Sequence, residues 1–531
     1  MRLVNILKLE TLLKIALLLF GLYLTISLIS YTFDGDFGWH LRFGKDVILN
    51  NFQYADSYSW SFFGKNWVNH EWGGDILFYL LYSNLGHFSL VILISLSLWL
   101  GFLLINKIFF KKLSLIAITI SIISLLAVDF IITMRLSMLS IPFLVMLIYL
   151  LENVEKKKTY IYFPILIWIW SVLHGSWILA FIVINIYLFG SILSKILIYF
   201  KEEIPLIKIW NNLIIKKVIL WQVISGIVIM INPYTYQIWH EVLLYFTNNY
   251  YKQHITEWLP SYSYPIYIAP LIIGTVSAIL ILLAYKEKKI SFTHLLLFVF
   301  FAISAWQYKR NNIYLVLICI PVLTSTITYV AKNIKIKKDN KEIVGYIILA
   351  IIIFGIVMLQ KPNIRYTSDV WQDKALLEYY AFPYQSTKVL DQKIGGQKNV
   401  RIFNEYSWGG YLIWNIPNTL VFTDGRSAAT WKDPDGKLVL QKQMDLVTQP
   451  NGLKYMEENN VSFVILRKNY SGYNKPDWIN RSLLGEEKLK ILTTDYKYQL
   501  IKDLEKSNSW KKIYEDKISE LWQLTASKDK N

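Results

Sequence analysis

Apolar residues in the first two thirds of the chain gather in long runs broken by short polar stretches. The runs cover residues 12–33, 75–105, 113–128, 136–151, 159–173, 177–198, 218–231, 266–284, 290–306, 313–330 and 343–359. A helix of about 20 apolar residues crosses the roughly 30 Å hydrocarbon layer of a bilayer. The pattern therefore predicts a polytopic α-helical membrane protein with about eleven transmembrane helices. The second run is longer than one crossing needs; the fifth and seventh are short enough to tilt or re-enter.

After about Gln360 the period changes. Residues 399–404, 419–423 and 461–466 read as short buried strands, and residues 373–393 and 437–458 as helices. Alternating strands and helices predict a small three-layer α/β domain. The expected division is a membrane domain at 1–359 and a C-terminal α/β domain at 360–531.

Composition supports the membrane reading, since 54% of the residues are hydrophobic and only 18% charged. Many of the 20 Trp and 36 Tyr lie near the ends of the apolar runs, as an interfacial belt would. A formal charge of +17 in a soluble protein would suggest nucleic acid. Here lysine marks alternate loops: Arg2, Lys8 and Lys14; Lys107, Lys111 and Lys112; Lys156 to Lys158; Lys195, Lys201, Lys208, Lys216 and Lys217; Lys286, Lys288 and Lys289; Lys332, Lys335, Lys337, Lys338 and Lys341. Anionic lipid and the positive-inside rule account for this excess without nucleic acid. They predict a multi-pass protein of the cytoplasmic membrane, with its N-terminus inside and its tail extracytoplasmic. The single cysteine, Cys319, excludes an intrachain disulfide and a Cys-rich metal site. The first run is long for a signal peptide and lacks a small-residue cleavage site, so it reads as a retained helix.

The remaining loops hold the unusual chemistry: Asp34-Gly35-Asp36, His40 and Arg42; Asn69-His70-Glu71-Trp72; Asp129 and Arg135; His174; Asn232-Pro233-Tyr234; His240-Glu241; Glu257-Trp258; Lys309-Arg310. Ionisable groups at the mouths of membrane helices are costly and hence candidate functional groups. Asp34 and Asp36 point the same way in an extended segment and suit one hard cation, Mg²⁺ or Mn²⁺, shared with a phosphate. Asp36 is equally placed to cap the helix that follows, on which His40 lies one turn on. Glu71, His70 and His174 are candidate acids, bases or ligands; Asn69 reads as the cap of the second run. Arg135 and Arg310 suit phosphate through the paired donors of a guanidinium. Glu257 and Trp258 offer a carboxylate and an aromatic face to a sugar. In the tail, Asn404 to Tyr411 and Thr423-Asp424-Gly425-Arg426 follow strands, where ligands bind in α/β sheets, although turns and domain docking explain them as well.

With these motifs in their order and spacing, joined by the stretch through Ser59 and Trp67, by Trp170 to Gly175 and by Trp408-Gly409-Gly410-Tyr411, the chain resembles a family of bacterial and archaeal polytopic membrane proteins related to GT-C-type glycosyltransferases. Gly38 departs from that pattern, which has an aromatic there. The resemblance implies transfer of a sugar from a polyprenyl-phosphate or pyrophosphate carrier on the outer face, with an acidic motif in the first outer loop matched by Asp34 and Asp36. It leaves open whether those acids hold a divalent cation or one serves as a base. The acceptor, whether glycan, lipid or protein, is not implied. The alternative from another class is a non-catalytic assembly or flipping partner in envelope polysaccharide biosynthesis. A transporter fits less well, because the ionisable residues gather at one face and not at the midplane.

Overall fold

The computed structural model describes residues 2–49, 52–110, 113–199, 210–286, 291–333, 338–427, 430–468, 478–493 and 497–525. Lys111, Lys112, Lys201, Lys208, Lys288, Lys289, Lys335 and Lys337 lie outside them. Each of the eleven apolar runs is helical. By length and composition, four helices among the described residues can cross a membrane: Glu10–Ser30, His87–Phe109, Gly175–Ile196 and Lys309–Lys332. The others are shorter apolar helices, so the expected count of about eleven is not matched by this measure.

The long second run is broken once. It divides into α3 (Trp72–Leu85) and α4 (His87–Phe109) at Gly86, whose φ of 76° falls in the left-handed region that glycine enters without strain. Before these come α1 (Arg2–Ser30) and α2 (Phe37–Leu49); after them comes α5 (Leu115–Leu126). Polar groups tie the helical layer together internally. Asn106 of α4 donates to Ser121 of α5 at 3.0 Å and accepts from Thr324, in helix Asn312–Asn333, at 2.9 Å. Hydrogen bonds between helices supply specificity where lipid tails leave little hydrophobic drive.

Helix α2 lies between the helical layer and the tail. It buries Phe37, Trp39 and Phe43. Two glycines let it approach both neighbours: a Cβ on Gly44 would overlap the Asp75 carbonyl of α3, and one on Gly38 the Gly410 carbonyl of the tail. The aromatic expected at position 38 has no room here.

The tail carries five strands, β1 (Val400–Asn404), β2 (Thr419–Val421), β3 (Phe463–Arg467), β4 (Trp510–Glu515) and β5 (Ser519–Leu524). Their order is β2-β1-β3-β5-β4, parallel among the first three and antiparallel beyond. The first three are the predicted strands, and the β4–β5 hairpin was not predicted. The two predicted tail helices are each broken in two, into Lys374–Tyr379 and Tyr384–Ile394, and Val439–Thr448 and Gly452–Glu458.

The loop between α2 and α3 continues the sheet at its β2 edge. Val421 N–H donates to the Tyr58 carbonyl and Trp60 N–H to the Val421 carbonyl, both at 3.0 Å. The Trp60 indole donates to the Ile402 carbonyl at 2.9 Å.

Candidate functional site

The sequence Asp34-Gly35-Asp36 folds as a turn in which the Asp36 amide donates to Asp34 Oδ1 at 2.8 Å, a local bond that aspartate favours. The Arg135 guanidinium pairs with Asp34 and also with Glu257. Asp34 is therefore committed to Arg135 and to the turn, and a cation placed on it would lie against a guanidinium. Asp36 stands directly before α2, its carbonyl accepting the His40 amide at 3.2 Å. It occupies the cap position and lines a cavity as well. Burial pushes the Asp36 carboxyl up to about 6.

One turn into α2, His40 Nδ1 meets Asp75 Oδ1 at 2.6 Å. Asn69 Nδ2 donates to the other Asp75 oxygen at 2.6 Å. With both Asp75 oxygens engaged, His40 carries its proton on Nδ1 and turns Nε2 toward Glu71 Oε2, 3.6 Å away. Burial alone would lower the His40 pKa, but Asp75, Glu71 and Asp36 outweigh it, and the imidazole stands above its ordinary value. Asn69 is not the cap of α3. Glu71 holds that position, and Asn69 Oδ1 accepts the Glu71 amide at 3.0 Å.

Glu71 is the centre of an imidazole cluster. His174 Nδ1 accepts the Ser176 amide at 3.0 Å, so its Nε2 carries the proton and donates to Glu71 Oε1 at 3.1 Å. His70 Nε2 lies 3.6 Å from the same oxygen. Burial pushes Glu71 up to about 7, takes His70 down to about 4, and holds His174 well below the usual histidine range. One ligand atom each from His40, Glu71 and Asp75 lies within 4.8 Å of the others, close enough to hold a metal ion.

His40, His70, Glu71 and His174 border a cavity of about 290 Å³, together with Asp36, Arg135, Trp258 and Arg310. The Arg310 guanidinium lies 4.6 Å from the centre of the Trp258 ring. Glu257, held by Arg135 and Arg310 against the opposing effect of burial, has a lowered pKa. It faces a smaller neighbouring pocket, which also borders on Arg135 and Arg310.

The tail closes the large cavity with Gly425 and Arg426. Arg426 donates twice to Asp424, at 2.8 and 2.7 Å, and once to Asp56 of the α2–α3 loop, at 2.8 Å. Its guanidinium is ringed by Tyr58, Trp67 and Trp431 at 4.9, 4.6 and 5.0 Å from their centres. The docking reading of Asp424-Gly425-Arg426 thus describes a buried lock between tail and loop.

Asp36, His40, His70, Glu71, Arg135, His174, Trp258 and Arg310 all line one cavity, and Asp34 and Glu257 join it through Arg135. Sequence reasoning missed Asp75, which it took for the start of a membrane span, and Asp56. Asp75 follows Glu71 by four residues, so the two share a helix face, a detectable signal.

No family model and no curated protein matches the chain. Solved structures of the oligosaccharyltransferase of Archaeoglobus fulgidus do match its fold. The form tethered to an acceptor peptide with the NVT sequon aligns with a TM-score of 0.53 at 11% identity, over 85% of this chain and 69% of that one. The same archaeal enzyme, AglB, in complex with an inhibitory peptide and a dolichol-phosphate aligns at 0.51 and 10% identity, over 85% and 69%. Its complex with Zn and sulfate aligns at 0.51 and 11%, over 85% and 68%. The chain has a GT-C-type fold.

Proposed function

We propose, taking the GT-C-type fold as premise, that this chain is a membrane glycosyltransferase that moves a sugar from a polyprenyl-phosphate or pyrophosphate donor to an extracytoplasmic acceptor. The observation that carries the reading is that Asp36 and the Glu71 cluster line one cavity together with Arg135 and Arg310. The dolichol-phosphate held in one structure of the archaeal enzyme and the acceptor peptide tethered in another support a lipid-linked donor and a separate acceptor.

In this reading Asp36 accepts the proton of the acceptor as its nucleophilic atom attacks the anomeric carbon. The bond from that carbon to the phosphate oxygen breaks on the opposite side, inverting the centre. Arg310, with Arg135, stabilises the charge that develops on the departing phosphate. Trp258 offers its ring to the sugar. The tail, through Gly425 and Arg426, bounds the acceptor side.

A divalent ion fits the donor set at His40 Nε2 and Glu71, where Asp75 orients the imidazole as outer partners of metal ligands do. Imidazole with carboxylate suits Mn²⁺ or Zn²⁺ better than Mg²⁺. Bound there, the ion would polarise a phosphate oxygen. In this reading the N-terminus is cytoplasmic, residues 1–359 are the membrane domain of a plasma-membrane protein and 360–531 lie outside, as the lysine-bearing loops suggest by the positive-inside rule.

The test is turnover by the purified chain in lipid across a panel of polyprenyl-phosphate and pyrophosphate sugars, with and without chelator. Transfer from at least one donor is expected. Neither binding nor transfer across the panel would overturn the reading.

A further inference from the structure

Trp371, Trp408, Trp431, Trp510 and Trp522 of the tail are all buried. Trp478 is not. It opens the short helix Trp478–Leu484 and is 76% exposed, and Leu483 on the same helix is 56% exposed. An indole left in water forgoes one of the largest burial gains of any side chain.

The helix is nonetheless held in place. Asn480, itself buried, grips the backbone of Ile266: its Oδ1 accepts the Ile266 amide at 2.8 Å and its Nδ2 donates to the Ile266 carbonyl at 3.2 Å. Ile266 stands just ahead of the apolar helix Ile268–Lys286. One turn into that helix, about 6 Å along its axis, a bare stripe begins. It consists of Ile272, Ile279 and Leu282, each more than half exposed and spaced to share one face. In a membrane protein such a stripe is the surface that lipid covers. Asn480 thereby fixes the tail helix at the level where the stripe ends.

The neighbouring helix marks the same border. Trp306 lies near the end of helix Phe292–Gln307, and its carbonyl accepts the Ser261 amide at 3.0 Å. Its ring centre lies 5.0 Å from that of Tyr262, and both side chains are more than half exposed. Trp and Tyr collect where a membrane helix leaves the hydrocarbon, the ring against acyl chains and the polar tip among headgroups.

We propose that helix Trp478–Leu484 lies in the headgroup zone of the leaflet on the tail's side, with Trp478 and Leu483 as its lipid contacts. The occupant is phospholipid and not a second copy of the chain, because a bilayer that covers the stripe reaches the helix that Asn480 fixes at its end. The tail is then held at two points, to the α2–α3 loop by Arg426 and to lipid by Trp478. This goes beyond the transferase reading and does not depend on it.

The experiment uses the full-length chain in nanodiscs of phosphatidylcholine, with Cys319→Ala as background and an environment-sensitive fluorophore on one introduced cysteine. The sites are Leu483→Cys, Ile279→Cys within the stripe, and Lys398→Cys, which is exposed just ahead of β1, at the end of the sheet away from Gly425. Thermal unfolding of each variant establishes that it is folded. The quenchers are phosphatidylcholine spin-labelled on the upper acyl chain, and iodide in the water. Spin-labelled lipid should quench the Leu483 probe at least half as strongly as the Ile279 probe and several-fold more than the Lys398 probe. Iodide should reach it several-fold less than it reaches Lys398. Adding Trp478→Ser should lower the lipid quenching at Leu483 and open it to iodide, whereas Trp478→Tyr should keep both near the starting values.

A Leu483 probe that behaves like the Lys398 probe would overturn the proposal. Shielding from iodide without quenching by lipid would also overturn it, because protein would then cover the helix; the mass of the loaded disc would show whether a second copy does so. Lipid quenching that ignores Trp478→Ser would remove Trp478 as the contact that seats the helix. Sugar transfer plays no part in these readouts, so neither their success nor their failure bears on the transferase reading.

Discussion

Gly425 offers the most direct test of how the tail meets the site. A Cβ added there would overlap the Asp36 carboxylate, while the glycine's own φ lies outside the left-handed region. Alanine therefore fits the backbone but not the space. Overpacking of this kind costs about 1–3 kcal/mol when neighbours must shift. Here the shift falls on Asp36, because the residue after Gly425 is fixed by three hydrogen bonds to Asp424 and Asp56. A displacement of roughly 1 Å in a reacting group can lower the rate by about 10²-fold. Gly425→Ala should thus lose about two orders of magnitude in kcat/KM for sugar transfer, with only a modest fall in the thermal unfolding midpoint. Gly345→Ala is the control, since a Cβ there meets nothing within 4 Å and helix Lys338–Gln360 accepts alanine readily. A normally folded, fully active Gly425→Ala would refute both the closeness of the tail to Asp36 and the role given to that carboxylate.

Two other outcomes follow from the same geometry. Burial raises Asp36 to about 6, and only its ionised form accepts a proton, so kcat/KM should climb as pH rises through about 6. Asp36→Asn should cost about 10²-fold or more and erase that climb; an active Asn variant with an unchanged profile would shift the acidic role to Glu71, whose midpoint lies near 7. Asp56→Ala leaves Arg426 paired with Asp424 but removes its bond to the loop and the acceptor of the Tyr58 and Ser59 amides, and should destabilise the docking of the tail by about 1–3 kcal/mol. Limited proteolysis should then cut the α2–α3 loop faster than in wild type, and an unchanged cleavage rate would mean that the lock is not what holds the tail.

The apolar runs and the acid, imidazole and guanidinium residues between them were legible because each deviates from what a membrane helix tolerates. Asp34, Asp36, Glu71 and Arg310 stand out against apolar neighbours, and chain order alone puts them on one face. What was not legible depends on pairing across the chain. Asp75 looks like a boundary residue until His40 and Asn69 are seen to hold its two oxygens. Asp34 and Asp36 suggest a shared cation until Arg135, a hundred residues on, takes one of them. The break at Gly86 had its signal in Asn84-Leu85-Gly86, which the strength of the surrounding hydrophobicity outweighed. The β4–β5 hairpin was missed because Lys511, Lys512 and Glu515 make its first strand read as surface. Its packing comes from Trp510, Leu521 and Trp522.

The pairing of Tyr58 and Trp60 with Val421 also orders events in time. The first ribbon is made early, and its partner strand appears more than three hundred residues later. At 5–20 residues per second, the ribbon waits roughly 20–70 s before Val421 is synthesised. During that interval its backbone donors and acceptors are open to any passing strand, including one from a neighbouring nascent chain. The short reach of this ribbon, and the charge of Asp56 beside it, limit that hazard. Newly made protein should therefore be most vulnerable to misassembly late in translation, just before its last third arrives to claim the loop.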